Sequence, residues 1–383
     1  MIVSNISSEC SERFVTCRAR VTWEDSQRAP FNLFARTARD FDDSFWPDPN
    51  AFLLGVILPA WQAHERRIRV DGEICSVLST DVQAALRVLR FWYNDLRHAP
   101  PTIENWKRAS KYPSGAAVSL LSCGIDSLAT LRHNTLAVPP DHPLSIRTCI
   151  SVIFSKTEAA ATDEGDLGRL PAARRITDSL GVGLAPVWTN LWWLVNDGYF
   201  FDLKWHGAHF AAHAMLFSRD HSNAFIGSSF DGGTLMKPWG SSPLLDTYYS
   251  TGHFRIHHHG AGMTRLDKTA LVANWPVGLD NLRVCQRDST GKTNCGRCEK
   301  CIRVMTSLVA LGKMSQCGCF PDRDVSPELL HLVREWGMID THWKLDWYTE
   351  LIPLLSARGR LDLANLIEEF GRHFEGKVER PVQ

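Results

Sequence analysis

The 383 residues predict an α/β protein: a doubly wound parallel sheet, preceded by an N-terminal α/β extension and followed by a helical region. Three observations lead there. From residue 116 onward, short apolar runs and amphipathic stretches alternate at the spacing of strand–helix–strand units. AAVSLLSC (116–123) and SIRTCISVIF (145–154) are unbroken small or apolar runs, as strands buried on both faces are. The 44% apolar and 22% charged composition is that of a globular chain with a sizeable core, which excludes disordered, collagen-like and low-complexity classes.

The elements follow in order. Residues 1–112 read as the extension, with a strand in FVTCRARVTWE (14–24), a turn at WPDPN (46–50) and a helix over 51–63. RRIRVDGEI (66–74) alternates around a turn at Asp71-Gly72, and a helix over 79–96 opens with Ser79 or Thr80 as its cap. The Pro-rich, polar segment 98–115 is a boundary. The second unit, 113–284, holds the two buried strands with a helix from Asp126 between them. It continues with a helix at 170–182 ending on Gly181, a strand at 184–190, a helix at 205–218 and a strand at 223–231. HFRIHHHGAGMTRLDKTALV (253–272) reads as strand, loop, helix. The third unit, 285–383, opens with a cysteine cluster and continues as helices at 326–337, 343–359 and 361–374.

Charge and hydropathy narrow the function classes. Lys plus Arg and Asp plus Glu are each 42, so no global field draws the chain to nucleic acid or an anionic membrane. The longest apolar run, FLLGVILPAW (52–61), is about half a bilayer span. MIVSNISSECSERF lacks the basic and apolar regions of a signal peptide, so a cytoplasmic protein is expected, with the oligomeric state left open.

Two clusters carry chemistry. The first is Ser122-Cys123-Gly124-Ile125-Asp126-Ser127, where a buried strand ends and a helix begins. Small residues at such a turn let backbone N–H groups approach phosphate oxygens, and the helix N-terminus adds partial positive charge. Ser122 and Ser127 can donate hydroxyls to the same anion, and Asp126 can cap the helix or hold a Mg²⁺ that bridges phosphates. The bland reading is a strand–turn–helix corner. A thiol at a helix N-terminus can also be activated, which makes Cys123 a candidate nucleophile.

The second cluster is Cys285-x9-Cys295-x2-Cys298-x2-Cys301, from a chain of eleven cysteines. Four soft ligands at this spacing suit a closed, structural Zn²⁺ site, and Asn294, Gly296 and Arg297 suit the tight loop whose N–H groups bond thiolates. An iron–sulfur cluster uses the same ligand count, and unligated thiols are the remaining reading. Cys317 and Cys319 are left unassigned.

Between the clusters, Gly227, Ser228, Asp231, Trp239 and Asp246 are candidate substrate contacts. They lie at the C-terminal end of the fourth strand and in the segment 230–250 that follows it, where ligands bind in parallel sheets. Trp239 can stack a purine-like ring and Asp246 can accept from an exocyclic amine; the alternative is a surface loop with a buried Trp. Arg265 and Lys268, at i and i+3, place two cations on one helix face, either at the phosphates or as solvated surface charge. His257, His258 and His259 alternate faces on a strand, so they do not converge on one ion, and His206, His209 and His213 read as core or cleft histidines.

The six-residue loop resembles the Ser-Gly-Gly-x-Asp-Ser pyrophosphate loop of the N-type ATP pyrophosphatases, with Cys123 in place of a Gly. Together with the cysteine knot, the chain looks like the 7-cyano-7-deazaguanine synthase family over about 116–312, with one extra residue in the first knot spacing. That resemblance implies an adenine-nucleotide α-hydrolase-like sheet and ATP as substrate, with Mg²⁺ and Zn²⁺ as cofactors. It implies adenylation of a carboxylate such as 7-carboxy-7-deazaguanine, with acyl transfer to an amine, or to a protein, giving an amide or nitrile. Lys268 takes the phosphate-facing role, with Asp126 and Arg265 beside it. The extensions resemble relatives from bacterial modification or phage-defence clusters. Two rivals remain: a tRNA-modifying member of the thiolation or lysidine type, against which zero net charge argues, and a non-catalytic nucleotide-binding component of a multi-protein system.

Overall fold

The computed structural model describes residues 1–107, 115–162, 168–234, 237–285, 294–335 and 342–374. The chain runs β1 (Ile2–Cys10), β2 (Phe14–Thr22), β3 (Phe31–Ala38), α1 (Pro49–Gln62), β4 (Arg67–Val70), β5 (Ile74–Cys75), α2 (Ser76–Trp92), β6 (Thr102–Ile103) and β7 (Trp106–Lys107). It continues with β8 (Ala116–Leu120), α3 (Ile125–Ala137), β9 (Ile146–Phe154), α4 (Arg169–Leu180), β10 (Gly183–Thr189), α5 (Gly198–Phe200), α6 (His206–Met215) and β11 (His221–Gly227). Then come β12 (Arg255–His259), α7 (Arg265–Ala273), α8 (Pro276–Asp280), α9 (Glu299–Leu311), α10 (Pro327–Glu335), α11 (His342–Thr349), α12 (Ile352–Ala357) and α13 (Leu361–Phe374).

Ten strands form one sheet in the order β12-β11-β8-β9-β10-β3-β2-β1-β4-β6. From β12 to β10 every pairing is parallel, as the unbroken apolar runs predict. Alternate residues of β8 explain why those runs carry no polar face. Val118 and Leu120 point into a core shared with α1, α2 and α6, while Ala117 and Leu121 point into a second core under α3, α4, α7 and α9. The expected boundary at 112 is crossed by the sheet, because β3 pairs antiparallel with β10 through Trp188↔Arg36 and Thr189↔Ala35. On the C-terminal side, α10 and α13 bury Leu330, Val333, Leu363 and Ile367 in the core that holds α3.

Several local expectations need correction. β1 and β3 were hidden by polar alternation and by Pro-flanked turns, and β1 presents an exposed second half to solvent. α2 begins at Ser76, not at Ser79 or Thr80; Cys75 is its cap, and Thr80 sits inside with its hydroxyl donating back to the Ser76 carbonyl at 3.0 Å. The single helix expected over 343–359 divides into α11 and α12, because Pro353 supplies no N–H and is accommodated only in a first turn. Gly181 does end α4, with φ +65°. Among the described residues no helix is long and apolar enough to cross a membrane.

Because β1–β3 share the sheet with β8–β12, urea unfolding should give one transition for both spectroscopic halves. Trp188, 1% exposed on the joining strand, should cost about 3–5 kcal/mol as Trp188→Ala, read as a fall in the denaturation midpoint.

Candidate active site and metal centre

The phosphate-type loop sits at the carboxyl end of β8, in the middle of the parallel strands. Its turn requires a left-handed residue, and Cys123 supplies it at φ +60°, a conformation that costs a non-glycine residue on the order of 1 kcal/mol. The Cys123 side chain is fully buried, with Sγ 4.0 Å from the Arg169 carbonyl, so it packs the core beneath the loop and is not placed as a solvent-facing nucleophile. Gly124 is the cap of α3, with no side-chain capping bond, so Asp126 is not the cap. As first-turn groups, the N–H donors of Ile125, Asp126 and Ser127 have no helical carbonyl to bond. Ser122 and Ser127 face each other across the turn, their Oγ atoms 3.2 Å apart, and Ser122 Oγ accepts from Gly124 N–H at 3.3 Å. Ser127 Oγ also accepts from Ser122 N–H at 3.2 Å and donates to the Gly124 carbonyl at 3.1 Å, so the two hydroxyls brace the turn, and the first-turn N–H groups of α3 are the donors that suit a phosphate oxyanion.

Asp126 is the first-turn carboxylate of α3, 25% exposed, and is held by Arg265 (Nη1 to Oδ1, 2.8 Å) with Lys268 Nζ at 3.9 Å. Both cations come from α7, whose start is fixed by a capping box between Thr264 and Asp267. Lys268 is only 2% exposed, and burial lowers its pKa to about 8. Its ammonium donates to the Ser228 and Phe230 carbonyls at 2.8 and 3.2 Å, and Arg265 Nη2 donates to the Ser229 carbonyl between them at 2.8 Å.

Those carbonyls are held from behind by residues read from sequence as substrate contacts. Ser228 Oγ lies 2.8 Å from His258 Nε2, and His258 Nδ1 lies 2.8 Å from Asp246 Oδ2, which also accepts from Ser241 Oγ at 2.7 Å. Ser228 and Asp246 are buried at 1% and 0%, so the fold uses both to brace the loop and neither faces an open crevice. Gly227 is likewise a close-packing position: a Cβ there would sit 2.8 Å from the Asp126 carbonyl. Asp231 begins the loop and acts electrostatically on Lys268. Trp239 is half-buried against Phe230 and His206 at centroid distances of 5.5 and 5.6 Å, with its Nε1 buried and unbonded. His257 and His259 point to the opposite face from His258, bonding Asn223 and Thr130, as strand alternation predicts. His209 and His213 are core residues.

The four cysteine sulfurs all lie within 4.8 Å of one another, with Cys295–Cys301 at 3.9 Å and Cys285–Cys298 at 4.0 Å. A tetrahedron with zinc–sulfur bonds of about 2.3 Å has edges near 3.8 Å, so the set fits a metal such as zinc and uses every position. Arg297 and Cys298 N–H groups point at Cys295 Sγ at 3.4 and 3.3 Å. Asn294 ties the knot together: its Oδ1 accepts from Val284 and Cys285 N–H, and its Nδ2 donates to the Leu282 and Cys319 carbonyls. Gly296 turns at φ +69° where a Cβ would meet Pro321 at 2.7 Å. Cys317 and Cys319 form a separate pair with sulfurs 3.1 Å apart.

The knot is not remote from the loop. Arg283 N–H, two residues before Cys285, donates to the Cys123 carbonyl at 2.8 Å, and α9 starts at the knot and carries Lys300 and Arg303 toward Asp126. The Arg303 guanidinium lies over the Trp347 ring at 4.0 Å and Arg265 over the same ring at 5.0 Å. Trp347 stacks on Phe230 at 6.0 Å, and Glu350 accepts from Leu266 N–H at 3.1 Å, with burial lifting its carboxyl to about 6. Sequence reading missed Arg303, Trp347 and Glu350; the spacing of Glu299, Lys300 and Arg303 around Cys301, on the helix that carries it, was the available signal.

Two outcomes follow. Cys301→Ser should remove the bound zinc, expected at one per chain by elemental analysis, and lower the melting temperature by destabilising the core that α9 shares with α3. Affinity for inorganic pyrophosphate should fall as pH rises past about 8, where Lys268 loses its proton, and Lys268→Met should flatten that limb in calorimetric titrations. Comparison with family models, curated proteins and solved structures gives no match for this chain, so its chemistry is argued from these residues.

Proposed function

We propose that this protein is an ATP-dependent, amide- or nitrile-forming ligase: it adenylates a carboxylate, releases pyrophosphate and passes the acyl group to a nitrogen nucleophile. The observation that carries the reading is the meeting of the 122–127 loop with Lys268 and Arg265 at the carboxyl ends of β8 and β11. The resemblance to the N-type ATP pyrophosphatases and the deazaguanine synthase family supplies the substrate class, a 7-carboxy-7-deazaguanine or similar acid, and a modification or phage-defence setting.

In this reading the Ser122 and Ser127 hydroxyls and the N–H groups of Ile125–Ser127 bind the β- and γ-phosphates. A carboxylate oxygen forms a bond to the α-phosphorus as the bond to pyrophosphate breaks, and Lys268 offsets charge on the departing group. The amine nitrogen then bonds the acyl carbon and loses a proton as AMP departs. Mg²⁺ would further neutralise the phosphates; Asp126 fits it as a partly exposed carboxylate at the loop, once its oxygen is shared with Arg265. Cys285, Cys295, Cys298 and Cys301 would hold Zn²⁺ with every position filled by a thiolate, which would give the ion a structural role.

The test is incubation of the zinc-loaded protein with radiolabelled ATP, Mg²⁺ and 7-carboxy-7-deazaguanine, with and without ammonium, with the nucleotides then resolved. AMP and pyrophosphate appearing only with the acid is the expected result, and Lys268→Ala should lower turnover about 100-fold or more. ADP, or ATP unchanged, would sink the reading.

A further inference from the structure

We infer that Arg303 forms a second oxyanion subsite beside the phosphate loop, one that takes the carboxylate of the acyl substrate; this rests on the adenylating reading above. The guanidinium is 5% exposed, and its Nε and Nη1 atoms are buried with no hydrogen bond. Glu299 approaches Nε only at 3.4 Å, and it also accepts from the Tyr348 hydroxyl at 3.4 Å. A cation taken out of water with unmet N–H donors is costly unless an acceptor arrives, and a carboxylate is the planar acceptor that a guanidinium matches best.

The surroundings fix the plane of that group and the character of the ligand. Trp347 holds Arg303 on its ring and carries Arg265 beside it, so one indole aligns the new subsite with the cation that grips Asp126. Phe230 stacks on the Trp347 ring that carries Arg303, and Trp239 stands edge-on to Phe230, so the surroundings of the guanidinium are aromatic. An aromatic or heteroaromatic acid fits such surroundings. The phosphates already have the loop and Lys268, which leaves Arg303 for the attacking group. α9 starts at the cysteine knot, with Cys298 as its cap and Cys301 in its first turn, so the knot sets the position of Arg303.

The experiment uses the full zinc-loaded chain and follows binding of 7-carboxy-7-deazaguanine, MgATP and inorganic pyrophosphate by calorimetry, for the wild type, Arg303→Met and Arg303→Lys. Zinc content and melting temperature serve as folding controls. Arg303→Met should weaken acid binding about 10- to 100-fold and leave MgATP and pyrophosphate within about threefold. Arg303→Lys, which keeps charge and loses planarity, should fall between and stay folded if the Met variant does not. Acid binding equal to wild type in both variants would overturn the subsite while leaving the adenylation reading standing. Loss of pyrophosphate and MgATP with the acid unaffected would overturn the carboxylate assignment and give the subsite to the nucleotide's terminal phosphates. Failure of the wild type to bind the acid or either nucleotide probe would bring down both readings.

Discussion

An ammonium group almost wholly removed from water dictates the layout of this site. Lys268 would give up its charge at neutral pH unless acceptors met it, and the fold supplies the carbonyls of Ser228 and Phe230 with Asp126 behind. Carbonyls can do this only if their peptide planes are held, and that is the role of the buried line from Ser228 through His258 to Asp246. The line is costly to bury and leaves little freedom, because each polar atom in it depends on the next. Arg265 closes the arrangement by bonding the one carbonyl left between them and the carboxylate of α3.

The two sequence clusters that look independent are one structure. The backbone that leads into the first knot cysteine bonds the Cys123 carbonyl, and the helix that holds the last one, Cys301, brings Arg303 near Asp126 and Arg265. Four sulfurs spaced to fit a metal give α9 a fixed origin, and a fixed origin is what a helix needs to place a side chain. The C-terminal helices share this duty, since α11 contributes Trp347 and the residue after it, Glu350, bonds the start of α7. The N-terminal strands serve from the other side, extending the sheet through β10 and covering its first core with α1 and α2.

Much of this was legible before any coordinates. Buried parallel strands announce themselves because both faces must be apolar, and the loop and knot do so because their chemistry demands particular residues at short spacing. The alternation of the three consecutive histidines was readable for the same reason, as a strand has a period of two. The roles of Ser228 and Asp246 were not. Both are polar residues near the end of a strand, and only their burial against His258 turns a ligand contact into a brace.

By itself, then, the chain determined the α/β class, the parallel core, the loop at the end of β8 and the four-cysteine set, all of which depend on neighbours within a few tens of residues. The tertiary structure decided the rest: that β1–β4 and β6 join the same sheet, that Cys123 turns inward, and that Arg265, Arg303 and Trp347 meet. Those facts rest on packing between segments separated by tens to hundreds of residues. Local periodicity has no term for such pairings, because they are chosen by which surfaces exclude water together.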